Sequence, residues 1–301
     1  MKKLLLALIG VAAFAFAGGA WAADLPVKAA PAAQQTVSGY LGMYVGGSWW
    51  DWGYNDPSSG SNAVFGGESR VNVWWSPNWS TQFDIEGEAT SRVPTNGNMQ
   101  GGAIHGLLGG HLAWRDPNSY ALGVLAAAIA QDSLYWNYNW AVHGLFGVEG
   151  QRYIGNFTLY GQAGLLHRFT YDNYDPWTVP QYLWFVRGVG RYFFTPNDKL
   201  QAEVGYASGK NDFQDSTQTI WNWGALWEHK FAGPFSGFLE YAGWRYNDTD
   251  TPTYTVTSHN FLVGAKVYFG QPTLLANDRN GATFDMPKFI RALPWSDMAD
   301  Y

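Results

Sequence analysis

From Val37 to Gly270 the chain alternates apolar with small or polar residues, in run after run of ten residues or more. Twelve runs can be traced, at about 37–52, 62–75, 79–91, 99–115, 119–131, 136–153, 157–171, 182–195, 199–210, 217–232, 235–247 and 256–269. A period of two sends successive side chains to opposite faces of an extended strand, so each run predicts a β-strand with one apolar face. In the third run Trp79, Phe83, Ile85 and Ala89 oppose Gln82, Asp84, Glu86 and Glu88. In the tenth, Trp221, Trp223, Ala225 and Trp227 oppose Asn222, Glu228 and Lys230. In the last, Phe261, Val263, Ala265 and Val267 oppose Asn260, Gly264 and Lys266.

The connections between runs alternate in length. Short ones are "SPN" at 76–78, "DPN" at 116–118, "IGN" at 154–156, "TPND" at 195–198 and "AGP" at 232–234. Longer ones start at Gly53, Ser91, Asp132, Asp172, Asn211 and Asp248. Pro, Gly, Asn and Asp in the short ones are turn formers. Strict alternation of short turns with long loops is the signature of an even-stranded transmembrane barrel, with turns on the periplasmic side and loops outside. The apolar faces end in Trp or Tyr, as a lipid-facing band with aromatic girdles requires, and the sheet must close because open edges are not tolerated in lipid. The predicted fold is an all-β, closed antiparallel transmembrane barrel of twelve strands, with ten or eight as fallbacks.

Composition sharpens this picture. Trp 17, Tyr 18, Phe 18 and Gly 36 are high for a water-soluble domain, and only 14% of residues are charged. Lys2 and Lys3, the apolar run Leu4–Ala17 and the small-residue site Ala20-Trp21-Ala22 read as a signal peptide over residues 1–22. Cleavage there leaves 16 basic against 24 acidic residues, a net charge of −8, which argues against a nucleic-acid partner. Zero cysteines exclude disulfides and thiol chemistry. Residues 23–36 read as a Pro- and Ala-rich periplasmic segment, 37–270 as the barrel and 271–301 as a tail.

The signal peptide, the mature start "ADLPVKAAPAA", the Gly- and aromatic-rich strands and the last strand "FLVGAKVYF" resemble the small outer-membrane barrel and porin-like proteins of alphaproteobacteria. Those proteins are usually described with eight strands, and the count of twelve departs from that. The resemblance implies an outer-membrane location, surface exposure and in some members pore activity, and it carries over no catalytic residues.

The polar faces define a candidate lumen. Its acids are Asp84, Glu86, Glu88, Glu149, Glu203, Glu228 and Glu240, and its bases Arg70, Arg115, Arg168, Arg187, Arg191, Lys230 and Lys266. Glu86 and Glu88 on the third strand and Arg187 and Arg191 on the eighth are expected on opposing walls. A transverse field of that kind suits a channel for passive diffusion of small hydrophilic solutes. Alternatively the charges pair and seal the lumen, since twelve strands lie between filled and open barrels. His105, His111 and His143 on inner faces read as lumen hydrogen-bonders rather than metal ligands, and no catalytic, cofactor or metal site is assigned. The one constellation at a mouth, His259 beside Ser258 with Asp248 and Asp250, reads as a solvated turn. Trp49, Trp50 and Trp52 read as interfacial girdle, and Trp177 as an adhesion candidate at a loop tip. Expected partners are outer-membrane lipid, the barrel-assembly machinery through the strand ending at Phe269, and a possible second copy against the flat strand "SYALGVLAAAIA".

The tail lacks a strand's period and is broken by Pro272, Pro287 and Pro294. Asn277–Gly281 reads as a turn and 286–293 as one short helical turn. We read the tail as hanging in the periplasm. The other course is a fold back into the lumen, with Arg279, Lys288 and Arg291 meeting the acidic wall.

Overall fold

A computed structural model of the chain describes residues 36–53, 58–91, 93–95, 98–100, 102–133, 139–171, 180–210, 216–249 and 254–298. The expected leader, nearly all of the expected 23–36 segment and Trp177 lie outside the described residues. The strands are β1 (Val37–Gly53), β2 (Ser58–Trp74), β3 (Trp79–Thr90), β4 (Val93–Thr95), β5 (Asn98–Gln100), β6 (Ala103–Asp116), β7 (Tyr120–Ser133), β8 (Asn139–Ile154), β9 (Phe157–Tyr171), β10 (Tyr182–Thr195), β11 (Asp198–Lys210), β12 (Thr217–Lys230), β13 (Phe235–Asp248) and β14 (Tyr254–Phe269). Twelve of them form one closed antiparallel barrel, and β4 and β5 make a separate hairpin in the loop after β3. The barrel closes by pairing β1 with β14, Gly39 opposite Phe269 and Gly47 opposite Phe261. The expected strand number and closing strand are those observed.

Two strand starts differ by four residues from the sequence reading. The fourth run starts at Ala103 rather than 99, because Asn98–Gln100 pairs with Val93–Thr95 instead. The second starts at Ser58 rather than 62, because the Ser- and Gly-rich 58–61 stretch pairs with 49–52 of β1. Ladder pairing decides there, against a composition that reads as loop.

The outer face carries an aliphatic band, with Met43 70% exposed and Leu108 62%. Contiguous apolar surface of this extent belongs against lipid. Aromatic side chains edge the band: Trp75, Trp79, Tyr120 and Tyr192 near the short turns, Trp49, Trp140, Phe169 and Trp221 near the long loops. Trp50 is not part of this girdle. Neighbours on a strand face opposite ways, so Trp49 points out and Trp50 points in, buried, its Nε1 donating to Asn62 Oδ1 at 2.6 Å. The Trp52 side chain lies outside the described set.

The tail does not hang below the barrel. Gly270 turns the chain with φ 77°, where a Cβ would strike the backbone of Val37 and Ser38, so the position requires glycine. Helix α1 (Leu274–Asn280) follows, capped by Thr273 Oγ1, which accepts from the Ala276 amide at 3.0 Å. It sits at the periplasmic rim, where Leu275 N donates to Pro196 O at 3.0 Å and Lys230 Nζ donates to Pro272 O at 3.0 Å. Residues 281–287 then run buried through the interior, and a 3-10 helix spans Lys288–Met298. Gln131 Nε2, near the outer end of β7, donates to Leu293 O at 3.1 Å. The tail thus threads the lumen from its periplasmic rim to its outer half. The expected turn at 277–281 is the last turn of α1, and the expected single helical turn is the longer 3-10 helix.

Candidate functional site

The lumen is where the inward charges and the tail meet. β3 and β10 stand five places apart in the ring of twelve, so their inward side chains face each other nearly across the barrel. Each wall has its own counter-charge in the tail.

Asp285 meets Arg187 and Arg191 on the basic strand β10 and also Arg70 on β2, beside the acidic strand β3. Arg70 NH1 binds its Oδ1, Arg191 NH2 its Oδ2 at 2.5 Å, and Arg187 NH2 lies 3.6 Å from Oδ2. The neighbouring backbone is read as well: Gln82 Nε2 donates to Phe284 O and Gln162 Nε2 to Asp285 O, both at 2.7 Å. Arg191 also binds Asp278 at 2.9 Å and Thr283 Oγ1 at 2.7 Å.

Arg291 meets the acidic side, 3.0 Å from Glu88 and 2.8 Å from Glu240, with Lys288 at 3.8 Å from Glu240. Arg279 goes elsewhere: it binds Asp278 and the Gly155 carbonyl and covers the Tyr153 ring at 4.2 Å. Of the three tail bases expected on the acidic wall, two reach it.

An apolar seat holds the same segment. Met286, Phe289, Ile290 and Leu293 are buried among Leu107, Leu125, Ile129, Leu145, Leu166 and Phe185. Phe284 is fully buried, stacked on His111 at 5.5 Å, edge-on to Tyr160 at 6.1 Å, and covered by the Arg115 guanidinium at 4.8 Å.

The remaining inward residues pair along the wall. Arg70 contacts Glu68 at 3.1 Å, Glu86 at 3.2 Å and Asp84 at 3.5 Å. His111 bridges Glu149 at 2.8 Å and Asp84 at 3.3 Å. Glu203 takes Arg187 at 2.5 Å, and Lys266 lies 2.9 Å from Glu68. Glu228 pairs with Lys199 at 2.8 Å. Arg115 donates to Gly281 O at 2.8 Å, and His143 Nε2 lies 3.2 Å from Pro180 O. His105 and Arg168 are buried on the inner face. Lys230 serves the rim rather than an acid, donating to the Gly233 and Pro272 carbonyls. Sequence reasoning missed Glu68 and Lys199, although each shares a face with residues already assigned inward. It also missed Asp278 and Asp285, for which an aperiodic tail offers no face signal.

The His259 constellation is not assembled. His259 faces outward, its Nδ1 2.8 Å from Tyr241 Oη, while Ser258 faces inward and bonds Ser48 at 3.0 Å. Asp248 is buried, and Asp250 lies outside the described residues. Among the described residues no group of three or more His, Asp or Glu is placed to hold a metal.

The tail leaves a crevice along the β1, β2 and β10–β14 side, lined by Glu68, Arg70, Arg191, Lys199, Lys266 and Asp285 among others, with a volume of ≈ 60 Å³. That is space for several waters.

No protein-family model matches the chain, and no curated protein does. Among solved structures it is similar to an outer-membrane channel from Pseudomonas putida F1, with TM-score 0.55 and 12% identity, over 82% of this chain and 97% of that one. It is also similar to the translocator domain of the autotransporter NalP from Neisseria meningitidis, with TM-score 0.46 and 10% identity, over 89% and 95%. The KdgM porin gives TM-score 0.41 and 8% identity, over 76% and 99%. Fold and lipid-type outer face together define the class, an outer-membrane β-barrel protein.

Proposed function

We propose that the protein is a porin-like channel of the outer membrane whose resting state is closed by its own tail, and that tail withdrawal admits small hydrophilic solutes by passive, non-enzymatic diffusion. The carrying observation is the charge match between plug and walls. Asp285 lies on three arginines and Arg291 on two glutamates, so each of these tail charges meets wall groups of the opposite sign. A barrel of twelve strands has a wider interior than the eight that wall side chains just fill, and here a separate segment completes the filling. The outer-membrane channel from Pseudomonas putida has a similar fold, which makes a channel a natural use of this one. The second reading is a sealed structural or surface-interaction barrel, favoured by the many wall ion pairs that persist without the tail.

Single-channel recording of the full-length protein beside a chain ending at Gly270 separates the two. We expect few or no steps from the first and steady steps from the second. Silence from both, with each barrel heat-modifiable on a gel and so folded, would overturn the channel reading and leave the structural barrel.

A further inference from the structure

We infer that Arg70, Arg187 and Arg191 form a carboxylate-binding site in the lumen, occupied at rest by Asp285, and that small carboxylates are the solute class this site selects. The inference rests on the channel reading for its transport half and stands on geometry for its binding half. Three guanidinium groups from two separate stretches of wall, β2 and β10, converge on one carboxylate. Guanidinium groups in a fork geometry are the side chains best suited to hold a planar carboxylate.

The three differ in what they hold besides Asp285. Arg70 keeps Glu68, Asp84 and Glu86, and Arg187 keeps Glu203. The carboxylate partners of Arg191, by contrast, are Asp278 and Asp285, both in the tail. Its wall contacts are the neutral Gln201, at 3.0 Å, and the face of the Tyr160 ring, at 5.1 Å. When the tail withdraws, Arg191 is left without a counter-charge in the barrel interior. Lumen water replaces the tail only as a weak partner, and a solute carboxylate can take the place of Asp285 on the guanidinium. The crevice reaches Asp285 and is lined by Arg70 and Arg191, so the arginines border open space even with the tail docked. Asp285 is then a built-in competitor for the solute.

Chemical rescue tests this on the full chain. Asp285→Ala removes the carboxylate and leaves a gap of its size between the arginines; Asp285→Gly, which leaves the same gap, serves if the alanine chain folds poorly, heat-modifiability reporting folding for both. Tail release is read as trypsin cleavage after Lys288, a bond inside the barrel at rest. Cleavage is expected to quicken by roughly ten- to hundredfold in the variant, the cost of losing hydrogen bonds to a charged group. Acetate, compared with chloride at equal ionic strength, is expected to restore most of the protection. It is also expected to reduce any current the variant carries, and to do neither once Arg191→Gln is added. Equal effects of acetate and chloride, or rescue that survives Arg191→Gln, would overturn the site. Rescue of protection in a variant that never conducts would support the site while refuting the channel reading.

Discussion

A full-length chain carrying Phe284→Ala is expected to release its tail while keeping its barrel. Phe284 is fully buried and touches the wall on three sides: His111 from β6, Tyr160 from β9 and the Arg115 guanidinium. Truncating a fully buried phenylalanine costs about 3–5 kcal/mol in lost transfer energy and residual cavity. The loss here falls on docking, because the phenyl ring belongs to the tail while every strand ladder stays intact. The undocked fraction should rise by about a hundredfold or more. Trypsin cleavage after Lys288 reads it, with heat-modifiability as the control for the barrel. Cleavage at the parent rate would mean that Phe284 does not hold the tail.

Arg70→Met is expected to damage barrel and plug together. Its guanidinium stands among Glu68, Asp84, Glu86 and Asp285, and it is 4% exposed. Methionine fills much of the volume but leaves a cluster of buried carboxylates facing one another. Removing one partner of a buried ion pair costs about 3–5 kcal/mol. Arg191→Met provides the contrast. Its carboxylate partners are in the tail, so the tail should loosen while the barrel's urea midpoint, read by gel mobility, stays near the parent value. The Arg70→Met midpoint should fall clearly below both. Equal midpoints for the two variants would contradict the division of roles between β2 and β10.

The barrel was legible in the sequence because both its signals are local and repeated. A period of two recurs on every strand, and the lipid side makes it sharper than in a soluble sheet, since a whole face must be apolar. The alternation of turn and loop lengths fixed the parity. Inward charges followed from that register, Arg187 and Arg191 opposite Glu86 and Glu88 included. Pairing was less legible: Ser58–Ser61 looks like loop and is strand, because its ladder partner 49–52 supplies the stability its own side chains do not. The tail was least legible. Asp285 has no periodic neighbours, its environment is made by residues about 94 to 215 positions away, and a proline-rich segment of mixed charge reads equally well as a periplasmic extension. What could have pointed inward is the complement itself: lumen walls rich in charge, and a tail carrying both signs.

The position of the tail is the central claim, and cysteine crosslinking in native outer membranes tests it most directly, since the parent chain has no cysteine. Thr158 Oγ1 on β9 donates to Asp278 Oδ2 on α1 at 2.6 Å, so a Thr158→Cys, Asp278→Cys chain should form a disulfide on mild oxidation. Ser48→Cys, Ser258→Cys joins β1 to β14, where the hydroxyls lie 3.0 Å apart, and reports barrel closure alone. Crosslinks in both chains are the expected result. A crosslink at 48–258 with none at 158–278 would show a closed barrel whose tail lies elsewhere, and would contradict the plug.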